Sequence, residues 1–423
     1  MASKSDKAAF RIISLSHSED IDGIASQAII TRYFHVLKKP IKPGLITRSD
    51  VLEIDQNDVE ITFVRSDYSD YIHYWAAIIA QNWSENSELD GIINETDDFA
   101  SRWRKVYQKI ETHQVDGKTP SGFKKFDHIM SSERDTITNL SERLKGADLV
   151  ILSDLGVNKS FKSLFPYIQD VPFSIAYFDH HEHFEEAQSF FERHCSVYIV
   201  DNTKCASQIV KDYFLPDDKI ANEIVSYGID SDFRKWEMEL SENLQHIIGK
   251  FSRDYAVMEQ IRLIFAQGIF FDDYIKNLLA KVQQWLMEQE DYLLDHIFFK
   301  KVHIGEQGDV EFMIGGSEMR PGRTIRVMEQ QFDKITGHGF PEGTEPPHII
   351  VSINETTGKT NINSHAFPTI KVAQAFGGGG HVHRAGFQIP MKYVDEQNLD
   401  NNFFDCLKKE QLMNKIIEIF TAD

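Results

Sequence analysis

Apolar and polar positions follow two different patterns along this chain, and the change falls near residue 300. Ahead of it, short apolar runs of strand length stand apart: Ile12-Ile13-Ser14-Leu15, Ile61 to Arg65, Leu149-Val150-Ile151-Leu152 and Ile175 to Phe178. Between them the spacing turns helical. Ile24, Ala28, Ile29, Tyr33 and Leu37 recur on one face of a predicted helix, so strand, acidic loop and helix succeed one another as in an α/β unit. Helical patterns return over Ile220 to Tyr227, Leu240 to Ile248 and Tyr255 to Phe265, and a long one runs from Phe271 to about Ile297. Leu278, Leu279, Val282, Trp285, Leu286, Tyr292 and Leu293 give that last segment an apolar stripe, expected to be core rather than a partner surface.

Residues 71–145 interrupt the strand pattern with charged amphipathic pieces, Tyr74 to Ile79 and Phe99 to Tyr107, which we read as a helical insertion. It would serve as a cap or a homodimer surface, or, as the favoured expectation, simply pack on the sheet. Arg102, Arg104 and Lys105 are expected to form a solvated face. After Phe298 short alternating strands take over, Val302 to Ile304, Val310 to Ile314 and Ile349 to Ile353, with Gly- and Pro-rich turns between them. The pattern therefore predicts a large α/β domain over 8–270, a linker helix over 271–297 and a smaller α+β domain over 298–423. In the smaller domain a helix from Thr369 to Phe376 runs into Gly377-Gly378-Gly379-Gly380-His381. Four successive glycines let backbone approach a ligand, with N–H groups to cradle phosphate or base, whereas a helix C-cap needs only one.

Chemistry collects where the first-domain strands end. The run to Phe178 stops at Asp179-His180-His181, the first strand leads into His17-Ser18-Glu19-Asp20-Ile21-Asp22, and the third leads into Ser153-Asp154-Leu155-Gly156. Asp232 closes Gly228-Ile229-Asp230-Ser231-Asp232. It is preferred to Asp230 for its spacing from Gly228, and Asp67, after the second strand, is a lower-ranked rival. In open parallel sheets ligands sit beyond the carboxyl ends of the strands. Asp20, Asp22, Asp154, Asp179 and Asp232 with His17, His180 and His181 place too many like charges there to stand uncompensated, and divalent cations are the natural counter-charge.

Composition narrows the function classes. With 45 Lys and Arg against 65 Asp and Glu, a net charge of −20 argues against a basic groove tracking long nucleic acid. Cys195, Cys205 and Cys406 have no paired spacing, so neither a disulfide framework nor a zinc knuckle is expected. No apolar segment approaches the roughly 20 residues needed to cross a bilayer, and the N-terminal residues lack a signal-peptide core, so no membrane association and a cytoplasmic location are expected.

Together these motifs, in this order, resemble the DHH-family phosphoesterases that carry a DHHA1 domain, and Gly377 to His381 followed by Ala385-Gly386 is similar to the family's C-terminal signature. The resemblance spans His17 to Phe387 apart from the insertion. It implies a parallel-sheet DHH domain, a linker helix, a smaller DHHA1 domain and two divalent ions, usually manganese. It further implies that His17, Asp20 and Asp154 hold one ion while Asp22, Asp154, His180 and Asp232 hold the other. His181 would face substrate phosphate, with Asp179 orienting the ligands. Where the family often has Arg in the strand ahead of the glycines, this chain has Asn363, so phosphate gripping is expected from His365 or Arg384. The activity implied is hydrolysis of short oligoribonucleotides or linear dinucleotides. Cyclic dinucleotides or a 3′,5′-bisphosphate are the alternatives, and a catalytically inactive nucleic-acid-binding member is a minor one.

Overall fold

Strand β3 (Leu149–Ser153) and strand β4 (Ser174–Asp179) are buried at every residue, as central strands of a parallel sheet covered on both faces must be. The computed structural model describes residues 9–46, 59–66, 71–83, 89, 91–94, 96–112, 141–157, 159–169, 171–233, 235–252, 254–337, 348–355, 358–395 and 403–422. With β1 (Phe10–His17), β2 (Val59–Ser66) and β5 (Val197–Val200) these strands form one sheet in the order β2-β1-β3-β4-β5, every pairing parallel. Asp67 lies outside the described residues.

The chain divides into two compact units, Met1–Lys276 and Asn277–Asp423, the division falling inside the helix Asp273–Asp295. In the first unit, alternate strand residues Ile13, Leu15, Val150, Leu152, Ile175 and Tyr177 pack with Trp75, Ile78, Trp103 and Val106 in one core. Those last four belong to the helices Tyr71–Gln81 and Phe99–Thr112, so the described part of the insertion packs on the sheet. Arg102 and Lys105 engage their own neighbourhood, through Gln81 and Asp97. The helix Ile21–Thr31 is buried along its whole length. The sequence pattern predicts that it continues to Leu37, but residues Arg32–Val36 form a π-helical turn. There the Arg32 guanidinium leaves the helix to bond both carboxylate oxygens of Asp218 and the Ala266 carbonyl.

The second unit holds a six-stranded mixed sheet, β6 (Ile297–His303), β7 (Asp309–Ser317), β8 (His348–Asn354), β9 (Lys359–Asn363), β10 (Gly379–His381) and β11 (Arg384–Gln388), in the order β10-β11-β9-β8-β7-β6. Only β7 and β8 pair in parallel. One face packs on the helix Lys409–Thr421 through Leu412, Met413 and Ile416. The other meets the helix Pro321–Gln330 and Leu293. Of the predicted stripe on Asp273–Asp295, Leu278, Val282 and Leu293 are buried. That helix stops at Asp295 because Ile297 already pairs with Gly315, so β6 begins five residues ahead of the predicted Val302.

Candidate metal centre

The parallel register brings three strand ends to one level. Ser16 lies opposite Ser153, and Ser153 opposite Phe178, so His17, Asp154 and Asp179 leave the sheet side by side. Asp154 does so with φ of 56°, the left-handed region that costs an L-residue about 1–3 kcal/mol unless its surroundings fix it. Two contacts fix it here: the Asp154 N–H donates to the Phe178 carbonyl at 3.1 Å, and the buried Tyr177 hydroxyl donates to the carbonyl of Leu155.

Asp20 and Asp22 come from the start of the helix Ile21–Thr31. Asp20 is its N-cap, accepting from the Gly23 N–H at 3.0 Å through Oδ1 while Oδ2 lies 2.5 Å from His17 Nδ1. Asp22 is buried and also caps the neighbouring helix Ala206–Phe214, taking the Ala206 N–H at 2.7 Å, the Ser207 N–H at 3.0 Å and the Ser207 hydroxyl. Gly228 makes room for this arrangement: a Cβ there would collide with Ser207 Oγ and sit 2.9 Å from Asp22 Oδ1. Asp232 is the last residue of the helix Lys219–Asp232, and its Oδ2 lies 3.5 Å from His180 Nδ1. Its rival Asp230 is turned to structure, accepting the N–H groups of Glu237 and Met238 at 2.9 and 3.3 Å.

Among the described residues, three groups of donor atoms capable of holding a metal ion result: His17, Asp20 and Asp154; Asp22, His180 and Asp232; and Asp154, Asp179, His180 and His181. His180 links them, with Nε2 at 3.3 Å from Asp154 Oδ1. Asp154 is 1% exposed, and its Oδ2 receives no hydrogen bond among the described residues, with His17 Nδ1 at 3.7 Å. A buried carboxylate oxygen without a donor, among carboxylates and imidazoles, fits a hard divalent cation. As with Asp22, both oxygens of Asp179, in the last group, are already used by protein donors. Oδ1 accepts from the His180 N–H and His181 Nδ1, each at 2.8 Å, and Oδ2 from His183 Nε2 at 2.9 Å.

The electrostatics divide the carboxylates accordingly. Burial, then Asp20, Asp22, Asp179 and Asp232, drive the Asp154 carboxyl well above its ordinary range. Burial and Asp22 push Asp232 up to about 6. Burial also raises Asp22, against the opposing hydrogen bond from Ser207. Asp179 goes the other way: burial would raise it, but hydrogen bonds from His181 and His183 outweigh burial and hold it below the usual range. For His181 burial disfavours the cation, and the bond to Asp179 with nearby carboxylates reverses the sign, so its pKa is raised.

Sequence patterning missed four residues that shape this centre. His183, Tyr198 and Ser207 carry no motif, and Gln245 joins two ligand-bearing segments by donating to the Glu19 carbonyl at 2.9 Å and accepting from the Ser231 hydroxyl at 3.0 Å. Among these, only the Asp179-to-His183 interval offered a signal, an i,i+4 pair just beyond a strand.

Gly377, Gly378, Gly379, Gly380, His381, Arg384 and His365 belong to the second unit. The expected loop of four glycines is instead a helix cap followed by an edge strand. Gly377, with φ of 80°, ends the helix Ile370–Ala375, and the Gly378 N–H returns to the Ala373 carbonyl at 2.7 Å. A Cβ on Gly378 would collide with the Gly386 carbonyl, while one on Gly379 would meet nothing within 4 Å. His381 pairs with Arg384, and Arg384 with Asn363, which places the three in one row across β10, β11 and β9. His381, Arg384 and His365 are exposed, whereas Asn363 is buried and donates to Glu329 at 2.8 Å.

Neither a family sequence model nor a curated protein sequence matches the chain. Solved structures do. The chain is similar to the DHH domain of a member of a family of ribosomal proteins, at 14% identity and TM-score 0.50 over 98% of this chain and 87% of that one. It also matches RecJ from Thermus thermophilus in complex with Mn²⁺, at 10% identity and TM-score 0.41 over 96% of this chain and 51% of that one. A third match is the pGpG-specific phosphodiesterase PggH from Vibrio cholerae, at 12% identity and TM-score 0.38 over 97% and 99%. At these identities the likeness is one of fold.

Proposed function

We propose that this chain, which has the fold of the DHH-domain proteins, is a metal-dependent phosphoesterase that hydrolyses short oligoribonucleotides or linear dinucleotides with two divalent ions, manganese being the expected metal. One observation carries the proposal above all: Asp154 is buried among four further carboxylates with an oxygen that no donor satisfies. His17, Asp20 and Asp154 would hold one ion, and Asp22, Asp154, His180 and Asp232 the other. Divalent ions so held supply Lewis acidity toward phosphate and a lowered pKa for water.

The chain's own residues do the rest. His181 has Nδ1 committed to Asp179, so Nε2 is the nitrogen that turns to the substrate, where a raised pKa suits it to stabilise a phosphate oxygen or protonate a leaving one. Asp22 and Asp20 keep the helix Ile21–Thr31 and its neighbour in place through their caps. In the second unit, Gly379, whose Cβ position meets nothing within 4 Å, lies beside exposed His381 and Arg384 and would bind nucleotide together with His365.

A hydrolysis panel with Mn²⁺ tests this: linear dinucleotides, longer oligomers, cyclic dinucleotides and a 3′,5′-bisphosphate. Preference for dinucleotides with chelator-sensitive turnover is expected. Preference for either other small substrate would move the assignment to that class, and metal binding with no turnover on any member would leave a binding protein.

A further inference from the structure

His183 is an imidazole that the proposed reaction does not use, and its side chain is 1% exposed. Nε2 lies 2.9 Å from Asp179 Oδ2, and Nδ1 lies 2.9 Å from the Tyr198 hydroxyl. Asp179 already takes the His180 N–H and as a carboxylate only accepts, so the His183 proton sits on Nε2 and Nδ1 accepts from the Tyr198 O–H. At the other oxygen His181 Nδ1 likewise carries the proton. Tyr198, His183, Asp179 and His181 therefore form one hydrogen-bonded chain converging on a buried carboxylate.

Tertiary structure supplies the far end of this chain. Tyr198 comes from β5, opposite Tyr177 of β4, and reaches His183 across the edge of the sheet. The rings of Tyr177 and Phe191 lie 5.2 and 6.3 Å from the His183 ring and help wall it from water. In such apolar surroundings hydrogen bonds are stronger, and losing one is costlier, than in solvent. A latch that merely closed the turn after β4 would hold His180 and His181 alike. The bonds instead run to the carboxylate whose other oxygen, besides taking the His180 N–H, fixes the His181 ring and not the His180 ring.

We propose that His183 and Tyr198 are positioning residues for the proposed hydrolysis. By orienting Asp179 they keep the His181 proton on Nδ1 and turn Nε2 toward the substrate phosphate. The inference rests on the proposed function for its purpose, but not for its test.

Histidine-selective ¹⁵N-labelled full-length protein, loaded with Mg²⁺, reports the His181 tautomer in the absence of substrate. His183→Leu removes the donor, His183→Gln places an amide N–H near the position of Nε2, and Tyr198→Phe cuts only the outer link. For His183→Leu we expect loss of the His181 Nδ1–H preference and turnover on a dinucleotide lowered about 10- to 100-fold, with metal Kd within about threefold of wild type. His183→Gln should recover most of both signals, and Tyr198→Phe should show a smaller change of the same sign.

An unchanged His181 spectrum in His183→Leu would overturn the proposal. So would a turnover loss matched by loss of metal affinity, or a Gln variant no better than the Leu variant. If the Leu variant fails to fold, Tyr198→Phe decides, and an unaltered His181 signal there is the overturning result. Should the wild type hydrolyse nothing in the panel, the proposed function falls while the tautomer still judges the positioning chain.

Discussion

Replacing Asp154 by Asn should move stability in opposite directions with and without metal. Asn preserves the shape of the side chain and tolerates the left-handed φ of 56°, so the change removes charge and little else. Without metal, burial and the surrounding carboxylates raise the folded-state value of Asp154 well above 3.8. The folded protein then holds a proton that the unfolded chain has released. Wild-type stability must therefore fall as pH rises from near 3.8 through that raised value, each pH unit within the window costing about 1.4 kcal/mol. Beyond the window the site carries an uncompensated buried charge, worth about 3 kcal/mol or more. The Asn variant lacks this slope.

In EDTA at pH 8 the variant should accordingly be more stable than wild type by about 1–3 kcal/mol, and the advantage should shrink toward pH 5. Mn²⁺ reverses the order. Binding at about 100 times Kd stabilises the wild type by about 2.7 kcal/mol per site, while a variant lacking the carboxylate shared by two ligand groups should gain far less. Urea unfolding followed by tryptophan fluorescence, in EDTA and in Mn²⁺ at both pH values, measures all four quantities. A variant less stable than wild type in EDTA at pH 8, or one stabilised equally by Mn²⁺, would refute the claim that Asp154 is held ready for a cation.

Other perturbations separate the parts of the site. Gly228→Ala should cost about 1–3 kcal/mol by overpacking against Ser207 and Asp22 and should weaken Mn²⁺ binding, both measurable by calorimetry. His180→Ala should lower metal occupancy by elemental analysis, whereas His181→Ala should keep the metal and slow turnover; equal metal loss in both would contradict the division. Gly379→Val should leave stability within about 0.5 kcal/mol of wild type yet slow dinucleotide hydrolysis more than that of a simple chromogenic phosphodiester. Gly378→Ala, by contrast, should be plainly destabilising. Asp218→Asn, which breaks the largely buried pair with Arg32, should cost about 3 kcal/mol near neutral pH. Burial works against the Asp218 charge, but Arg32 holds its carboxyl below 3.8, so the wild-type contribution is present above the ordinary carboxylate range and lost as pH falls through the depressed value. The difference between the two proteins in acid denaturation should therefore narrow at low pH.

How legible each part was depended on how many residues carried its signal. Strands β3 and β4 were readable because a central parallel strand is apolar on both faces, and because several such runs led into acids or histidines together. Strand β5 was not predicted: four half-exposed residues are too few to establish a period, although Tyr198 comes from it. The helix Lys409–Thr421 also went unpredicted and proved to cover one face of the small sheet. The glycine run was legible as a special backbone, but not the reason each glycine stands there. A helix cap and a close strand approach already require Gly377 and Gly378, a tertiary demand that a local motif does not reveal. Asp230 and Asp232 were separable by spacing, but the reason became visible only in three dimensions, where two backbone N–H groups occupy Asp230.

The five site acids differ in how the fold meets their charge, and the difference locates where positive charge is missing. Asp20 and Asp22 stand at the N-terminus of the helix Ile21–Thr31, where the macrodipole favours an anion, and Asp22 also caps the helix Ala206–Phe214. Asp179 accepts one backbone N–H and two imidazole N–H groups. All three accept hydrogen bonds from the protein, although burial still raises Asp22. Asp232 has the opposite placement: as the last residue of its helix it adds negative charge to the negative end of the dipole, in keeping with its elevated value. Asp154 has no helix terminus and leaves one oxygen without a donor. Between these two carboxylates stands His180, reaching Asp154 with one nitrogen and Asp232 with the other. A single imidazole carries at most one proton charge against two carboxylates, so the fold leaves a local deficit on the Asp154–His180–Asp232 line. A divalent cation held by these groups removes it.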